Sequence, residues 1–226
     1  MGLRYAIATV LKAPFTWYYR YEMLHEDRIP KGGCVLAFNH SGRPDGFLLY
    51  CHFKREIIFL AKQELFDTIY RIPLSLFGHI AIDRGKGKSG PAIAKAVAII
   101  KKGGAFGIFP EGTCRGAPRL RWFYTGAARV ALTAHVPIIP VAIIGSYGMV
   151  HQGMKIIYTI PKKKKVKVIV GKPLYFSGLY GKENDPAITR KVMDQTRTAI
   201  RSLLIKYHAP KRYWGEETAK KPSKKF

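Results

Sequence analysis

Acidic residues are scarce in this chain of 226 residues: 14 Asp and Glu stand against 39 Lys and Arg, a formal net charge of +25. A surface so short of negative charge attracts polyanions, so nucleic acid, an anionic membrane and an acidic small protein are the partner classes to weigh. Cysteine is scarce as well. Cys34, Cys51 and Cys114 are odd in number and form no CxxC pair, which argues against a disulfide scaffold or a structural zinc site. A reducing cytoplasmic setting suits such usage. Long apolar runs are missing too. In MGLRYAIATVLKAPFTWYYRYEML the longest uncharged stretches after Arg4 are Tyr5 to Leu11 and Ala13 to Tyr19, ended by Lys12 and Arg20. Both fall short of the roughly 20 apolar residues that cross a bilayer. Ala6-Ile7-Ala8 lies too early to follow the apolar core of a signal peptide. No segment repeats at a fixed period, which argues against a repeat array.

What the N-terminus does contain is apolar residues mixed with Trp17, Tyr18, Tyr19 and Tyr21, with Lys12 and Arg20 among them. Amphipathic rings and snorkelling bases of this kind settle at a membrane interface; a helix packed on the chain's own core is the plainer alternative. The hydrophobic content of 47% is enough for one domain with a sizeable core.

Short apolar runs then alternate with helical patterns. Cys34 to Phe38, Ile57 to Ala61, His79 to Asp83, Ala105 to Phe109 and the run within Pro137 to Gly145 read as strands. Helices are expected over Pro44 to Phe53, Glu64 to Phe77, Pro91 to Lys102, Gly126 to His135 and Asp185 to Tyr207. Ile156 to Ile160 and Val166 to Val170 read as a strand pair around the lysine run 162–165. Strands that are apolar throughout, rather than alternating, mean a sheet covered on both faces. The expected fold is therefore α/β, a single domain with a mostly apolar mixed β-sheet flanked by helices. An amphipathic helical membrane-association segment is expected over residues 1–29, the α/β domain over residues 30–207, and a basic flexible tail over residues 208–226.

Three segments carry candidate chemistry. In FNHSGRPD, residues 38–45, His40 and Asp45 would point about 140° apart on one helix. With His40 in the loop after a strand and Asp45 in the next helix's first turn, they converge. The acid then fixes one ring nitrogen and leaves the other as a general base. Taken alone, the same letters suit an ordinary strand-to-helix turn. In FPEGTCRG, residues 109–116, Thr113 offers a hydroxyl, Arg115 a phosphate-matching fork, and Glu111 a carboxylate to orient that arginine. A tight turn with a surface ion pair is the alternative. Cys114 has no histidine paired with it in sequence and reads as a spacer. In AIDRGKGKSG, residues 81–90, the glycines are misplaced for a nucleotide loop, since the Walker pattern needs glycine where Ile82 stands. Arg84 at a strand end still suits an anion. Ser146, in Gly145-Ser146-Tyr147-Gly148, lacks the spacing of a nucleophile elbow.

In this order, the segments resemble the four motifs of the glycerolipid acyltransferases, the family of 1-acylglycerol-3-phosphate acyltransferases. The first family motif, N-H-x-S-x-x-D, is similar to Asn39 through Asp45. The second, a strand ending in D-R-G after A-K-x-E-L-F, is similar to Asp83-Arg84-Gly85 after Ala61 through Phe66. The third, F-P-E-G-T-R, is similar to Phe109 through Thr113, with arginine one place late at 115. The fourth, V-P-[IV]-[IV]-P-V, is similar to Val136 through Val141. The resemblance covers roughly residues 30 to 175. Gly42 stands where the family has serine, Cys114 where it has arginine, and Tyr124 where it has the lysine of F-K-x-G.

The resemblance implies acyl transfer from a thioester to the free hydroxyl of a lysophospholipid, with 1-acylglycerol-3-phosphate becoming phosphatidic acid. His40 is then the general base, oriented by Asp45. Lys62, Arg84 and Arg115 hold the acceptor phosphate, and Glu111, Gly112 and Thr113 shape its pocket. No metal and no cofactor are expected; acyl-CoA or acyl carrier protein is a co-substrate. Expected partners are the acceptor, the donor and an anionic membrane surface at the cytoplasmic face, where the chain sits monotopically. Lys155, Lys162 to Lys165, Lys167 and Lys172 form an acid-free run for that surface. Other acceptors (glycerol-3-phosphate, another lysolipid or a polar amphiphile) fit the same fold. A non-enzymatic basic binder explains the charge but not the ordered motifs, and without a nucleic-acid motif no nucleic-acid partner is expected.

Overall fold

The computed structural model describes residues 17, 20–42, 44–62, 80–82, 90–114, 118–149 and 165–215; at 47, 50, 51, 61, 62, 81 and 82 it describes the backbone only. Within these residues lie strands β1 (Glu22–Leu24), β2 (Cys34–Phe38), β3 (Ile57–Lys62), β4 (Ile80–Ile82), β5 (Ala105–Ile108), β6 (Ile138–Ile144) and β7 (Lys167–Val170). Helices α1 (Asp45–His52), α2 (Gly90–Lys101), α3 (Gly126–Ala134) and α4 (Pro186–Lys206) are interleaved with them.

The strands form one sheet in the order β1-β7-β6-β2-β5-β3-β4. β2 sits at its centre, parallel to β5 on one side and to β6 on the other. β3 and β4 continue the parallel run, β7 turns back antiparallel to β6, and β1 pairs in parallel with β7. The sheet is therefore mixed, as the apolar strands predict.

Burial on both faces explains why β2 is apolar at every position. Val35 and Ala37 enter one core layer, together with Ala96 and Ile100 of α2, Ala128 and Leu132 of α3, and Val192 and Ile200 of α4. Cys34, Leu36 and Phe38 enter the other, with Leu48 and Leu49 of α1, Phe53 and Phe59. α4 begins cleanly: Asp185 accepts hydrogen bonds from the Ala187 and Ile188 amides at 2.8 and 3.1 Å, and Pro186 opens the first turn. Its buried Thr189, Val192, Met193, Thr196, Ile200 and Leu204 recur at helical spacing along the face turned to the sheet.

Two expected boundaries are corrected. Residues 22–24 are not helical but form a strand, with Glu22 opposite Lys167 of β7, so the sheet begins before residue 30. At the other end, Ala209 and Tyr213 are buried, and the Tyr213 hydroxyl accepts a hydrogen bond from the Gly145 amide at 3.0 Å. The chain past residue 207 thus contributes to the core before any tail begins. The expected helix 64–77, strand 156–160, lysines 162–164, segment 1–16 and tail 216–226 lie outside the described residues. Among the described residues no helix is long and apolar enough to cross a membrane.

Candidate active site

The carboxyl ends of β2 and β5 lie side by side, and the crevice beyond such ends is where parallel sheets bind ligands. β2 leaves the sheet through Asn39. The Asn39 side chain donates to the Ile143 carbonyl at 3.0 Å and accepts from the Ile143 amide at 2.6 Å. It thereby extends the β2–β6 ladder by one side chain and fixes where the following residue starts.

That residue is His40. Its ring stacks on Phe109 at a centroid distance of 4.2 Å, and its Nδ1 lies 2.9 Å from Asp45 Oδ2. Asp45 is the first residue of α1, where the helix N-terminus favours negative charge. Its side chain is fully buried, against 18% exposure for that of His40. The Gly42 amide donates to the same Oδ2 at 2.9 Å. The histidine sits in the loop and the acid in the first helical turn, so they meet. Asp45 holds Nδ1, and Nε2 is left for chemistry.

β5 delivers the second half. After Phe109 the chain turns at Gly112, which has φ 71° and donates from its amide to the Phe109 carbonyl at 3.0 Å. Glu111, 4% exposed, does not stand isolated at a surface. Its Oε1 accepts from the His40 backbone amide at 3.0 Å, joining the two strand ends. The turn then carries half-buried Cys114 near enough to the His40 side chain for its sulfur to help raise the ring's proton affinity. Residues 74 apart by number come near one another because β2 and β5 are paired. Sequence spacing carries no signal for that proximity.

A third wall is the segment 120–123. Arg197 of α4 donates to the carbonyls of Arg121 at 2.9 Å and Leu120 at 3.2 Å, and Arg190 donates to the Phe123 carbonyl at 2.6 Å. This pins Arg121 beside the Glu111 carboxyl. On the opposite side, the Ser41 and Ser146 hydroxyls are 2.9 Å apart. Gly112 and Thr113 are half-buried in the turn after Phe109. The Lys62 side chain, Arg84 and Arg115 lie outside the described residues, and so does the phosphate grip assigned to them. Among the described residues no cluster of three or more His, Cys, Asp or Glu is arranged to hold a metal ion.

The electrostatics follow from this packing. Burial disfavours charge on His40, yet the Asp45 carboxylate and the Cys114 sulfur outweigh it and push the ring's pKa up to about 10. Burial pushes Glu111 up to about 7, against the opposing pull of the His40 amide and Arg121. A histidine held at Nδ1 by a buried acid at a strand end is an arrangement that can move a proton from a hydroxyl.

Residues 20–144 match the family model described as Acyltransferase. A probable 1-acyl-sn-glycerol-3-phosphate acyltransferase from Mycoplasma genitalium is 34% identical over 156 residues, 64% of this chain and 57% of that protein. The 1-acyl-sn-glycerol-3-phosphate acyltransferase of Bacillus subtilis is 30% identical over 181 residues, 74% of this chain and 82% of that protein. The chain thus spans about half to four fifths of the length of these curated relatives. The crystal structure of the 1-acyl-sn-glycerophosphate (LPA) acyltransferase PlsC from Thermotoga maritima is similar in fold, with a TM-score of 0.67 at 19% identity over 88% of this chain and 79% of that one.

Proposed function

The chain belongs to the acyltransferase family, and from that premise we propose that it transfers an acyl group from a thioester to the free hydroxyl of 1-acylglycerol-3-phosphate, giving phosphatidic acid. The observation that carries this reading is the contact between His40 Nδ1 and the buried Asp45 carboxylate, 2.9 Å long, at the end of β2. His40 takes the proton of the acceptor hydroxyl, the oxygen attacks the thioester carbonyl, and the thiol departs. A placed base of this kind contributes roughly 10²–10⁴-fold, and holding both substrates in line contributes more. Asp45 keeps the ring in one tautomer and stabilises the imidazolium that forms.

Lys62, Arg84 and Arg115 are proposed to take the acceptor phosphate; the family resemblance supports this. Acyl-CoA and acyl carrier protein are both proposed donors, because each is acidic and the chain carries +25. The same charge supports docking at an anionic leaflet, with the aromatic N-terminal segment at the interface. Exposed Trp17 fits that placement.

The test is a panel of acceptors (1-acylglycerol-3-phosphate, glycerol-3-phosphate and neutral lysolipids) against both donors, with products identified by mass spectrometry. Phosphatidic acid is the expected product, lost in His40→Ala. Full activity in that variant refutes the base assignment, and no acylated product with any acceptor refutes acyl transfer.

A further inference from the structure

α4 and the turn after it, Pro186 to Gly215, carry seven Lys and Arg and one acid, Asp194. Arg190 already pairs with Asp194 at 2.7 Å. Lys191, Lys206, Lys211 and Arg212 are exposed, and none of the four forms an ion pair with another described residue. The result is a strip of uncompensated positive charge on the outer side of α4, whose apolar side is buried against the sheet. We propose that this strip is the docking surface of an acidic acyl carrier protein, which brings the donor thioester to His40 on its flexible prosthetic arm. The proposal rests on the acyl-transfer reading above and selects one of its two donors.

The strip is braced to the reaction centre. Arg190 and Arg197 grip segment 120–123, and Arg201 donates to the Trp214 carbonyl at 3.1 Å. The Arg190 guanidinium also lies over the Trp122 ring, 4.0 Å from its centroid. The gripped segment is tied in turn to the strand ends. The Tyr124 amide donates to the Pro110 carbonyl at 2.8 Å, next to Glu111, and the Leu120 amide to the Tyr213 carbonyl at 2.9 Å. The Tyr213 hydroxyl reaches the Gly145 amide just past β6. A partner seated on α4 thus rests on elements bonded to the carboxyl ends of β5 and β6, the end of the sheet where His40 stands.

Three observations select a carrier protein as the occupant. Lys191 and Lys206 stand about 22 Å apart along the helix axis. Charges spread so far suit the side of a folded acidic partner rather than the few clustered phosphates of coenzyme A. Between the bases lies an open depression lined by Ala187, Gln195, Thr198 and Ala199, small or uncharged side chains that admit a partner's surface. A leaflet calls for exposed apolar and aromatic residues, and along α4 the one large apolar side chain left exposed is Ile205. The aromatic N-terminal segment, moreover, enters the fold on the other side of the sheet. Tyr21 stacks on His52 of α1 at 3.6 Å, in one core layer, whereas Val192, Met193, Ile200 and Leu204 of α4 lie in the other.

The experiment compares the full chain with its Lys191→Glu, Lys211→Glu, Arg212→Glu triple variant. Palmitoyl-acyl carrier protein and palmitoyl-CoA are the donors, and 1-acylglycerol-3-phosphate is the acceptor. The variant is expected to raise KM for the carrier-protein donor about tenfold or more, keep kcat within about twofold, and move KM for palmitoyl-CoA by less than about threefold. High salt is expected to raise the same carrier-protein KM in wild type. Carbodiimide cross-linking of holo-acyl carrier protein to wild type needs no variant to fold, and its links are expected at Lys191, Lys206 or Lys211. An unchanged carrier-protein KM, equal losses with both donors, or links only elsewhere overturns the docking surface. Lost flotation with phosphatidylglycerol vesicles at an unchanged carrier-protein KM gives the strip to a leaflet and overturns it too. Transfer from palmitoyl-CoA alone overturns the docking and leaves acyl transfer intact. Product from neither donor overturns the acyl-transfer reading, and cross-linking still decides the surface.

Discussion

Gly42 packs against the backbone of Ser146 so closely that a Cβ there would lie 2.4 Å from the Ser146 carbonyl oxygen and 2.7 Å from its carbon. The contact explains the glycine at the one position of the first motif where the family pattern has serine. One place earlier, the Ser41 hydroxyl meets that of Ser146 at 2.9 Å.

Restoring the family residue is therefore expected to do harm. Gly42→Ser and Gly42→Ala force backbone apart beside the amide that holds Asp45 Oδ2, and each is expected to cost about 1–3 kcal/mol. Chemical denaturation measures that loss, and acyl transfer should fall with it. A Gly42→Ser chain as stable and active as wild type contradicts the packing argument.

Asp45→Asn removes the carboxylate that raises the proton affinity of His40. In wild type the His40 ring, followed by NMR, is expected to titrate near pH 10, and in Asp45→Asn distinctly lower. The folded ring holds its proton more tightly than an unfolded histidine at 6.5. Its stabilisation is thus full below pH 6.5 and lost as pH rises from there to about 10. Asp45→Asn should flatten that part of the stability profile and lower turnover roughly 10²–10⁴-fold.

Glu111 tests the joint between the strand ends. Its pKa of about 7 lies above the ordinary 4.5, so the folded chain holds the proton longer than the unfolded one. Stability contributed at this position falls as pH rises from 4.5 to about 7. Glu111→Gln keeps an acceptor for the His40 amide and removes the titration, so its stability relative to wild type is expected to rise across that window. Glu111→Ala leaves the amide without a partner and should lose about 1–3 kcal/mol. Paired melts at pH 5 and pH 8 decide between these outcomes.

Tyr213 tests whether the chain beyond α4 belongs to the domain. Tyr213→Phe orphans the Gly145 amide and is expected to cost about 1–3 kcal/mol. Tyr213→Ala should cost about 3–5 kcal/mol through the cavity it leaves. Unchanged melting in both variants would return these residues to a tail.

Much of the molecule is determined locally, and that much was readable. Cys34 to Phe38 had to be a central strand because a run apolar at every position is stable only when both faces are covered. The start of α4 follows from Asp185-Pro186. His40 and Asp45 were readable because the loop and the helix turn that join them lie within six residues. Glu22 to Leu24 reads as helical from its neighbours but is a strand, since three residues carry no periodicity and their state comes from pairing with β7. Tyr213 reads as part of a tail because its basic neighbours are polar, while its own ring finds a core that other segments build.

By itself the sequence determined the α/β class, the order of the motifs and the acid–histidine pair, all properties of neighbouring residues and their periods. Only the tertiary structure decided that Glu111 serves the His40 amide and that Cys114 comes near the His40 ring. Those contacts exist because β5 lies beside β2 in the sheet, and strand order depends on the free energy of the whole core, which no single segment carries.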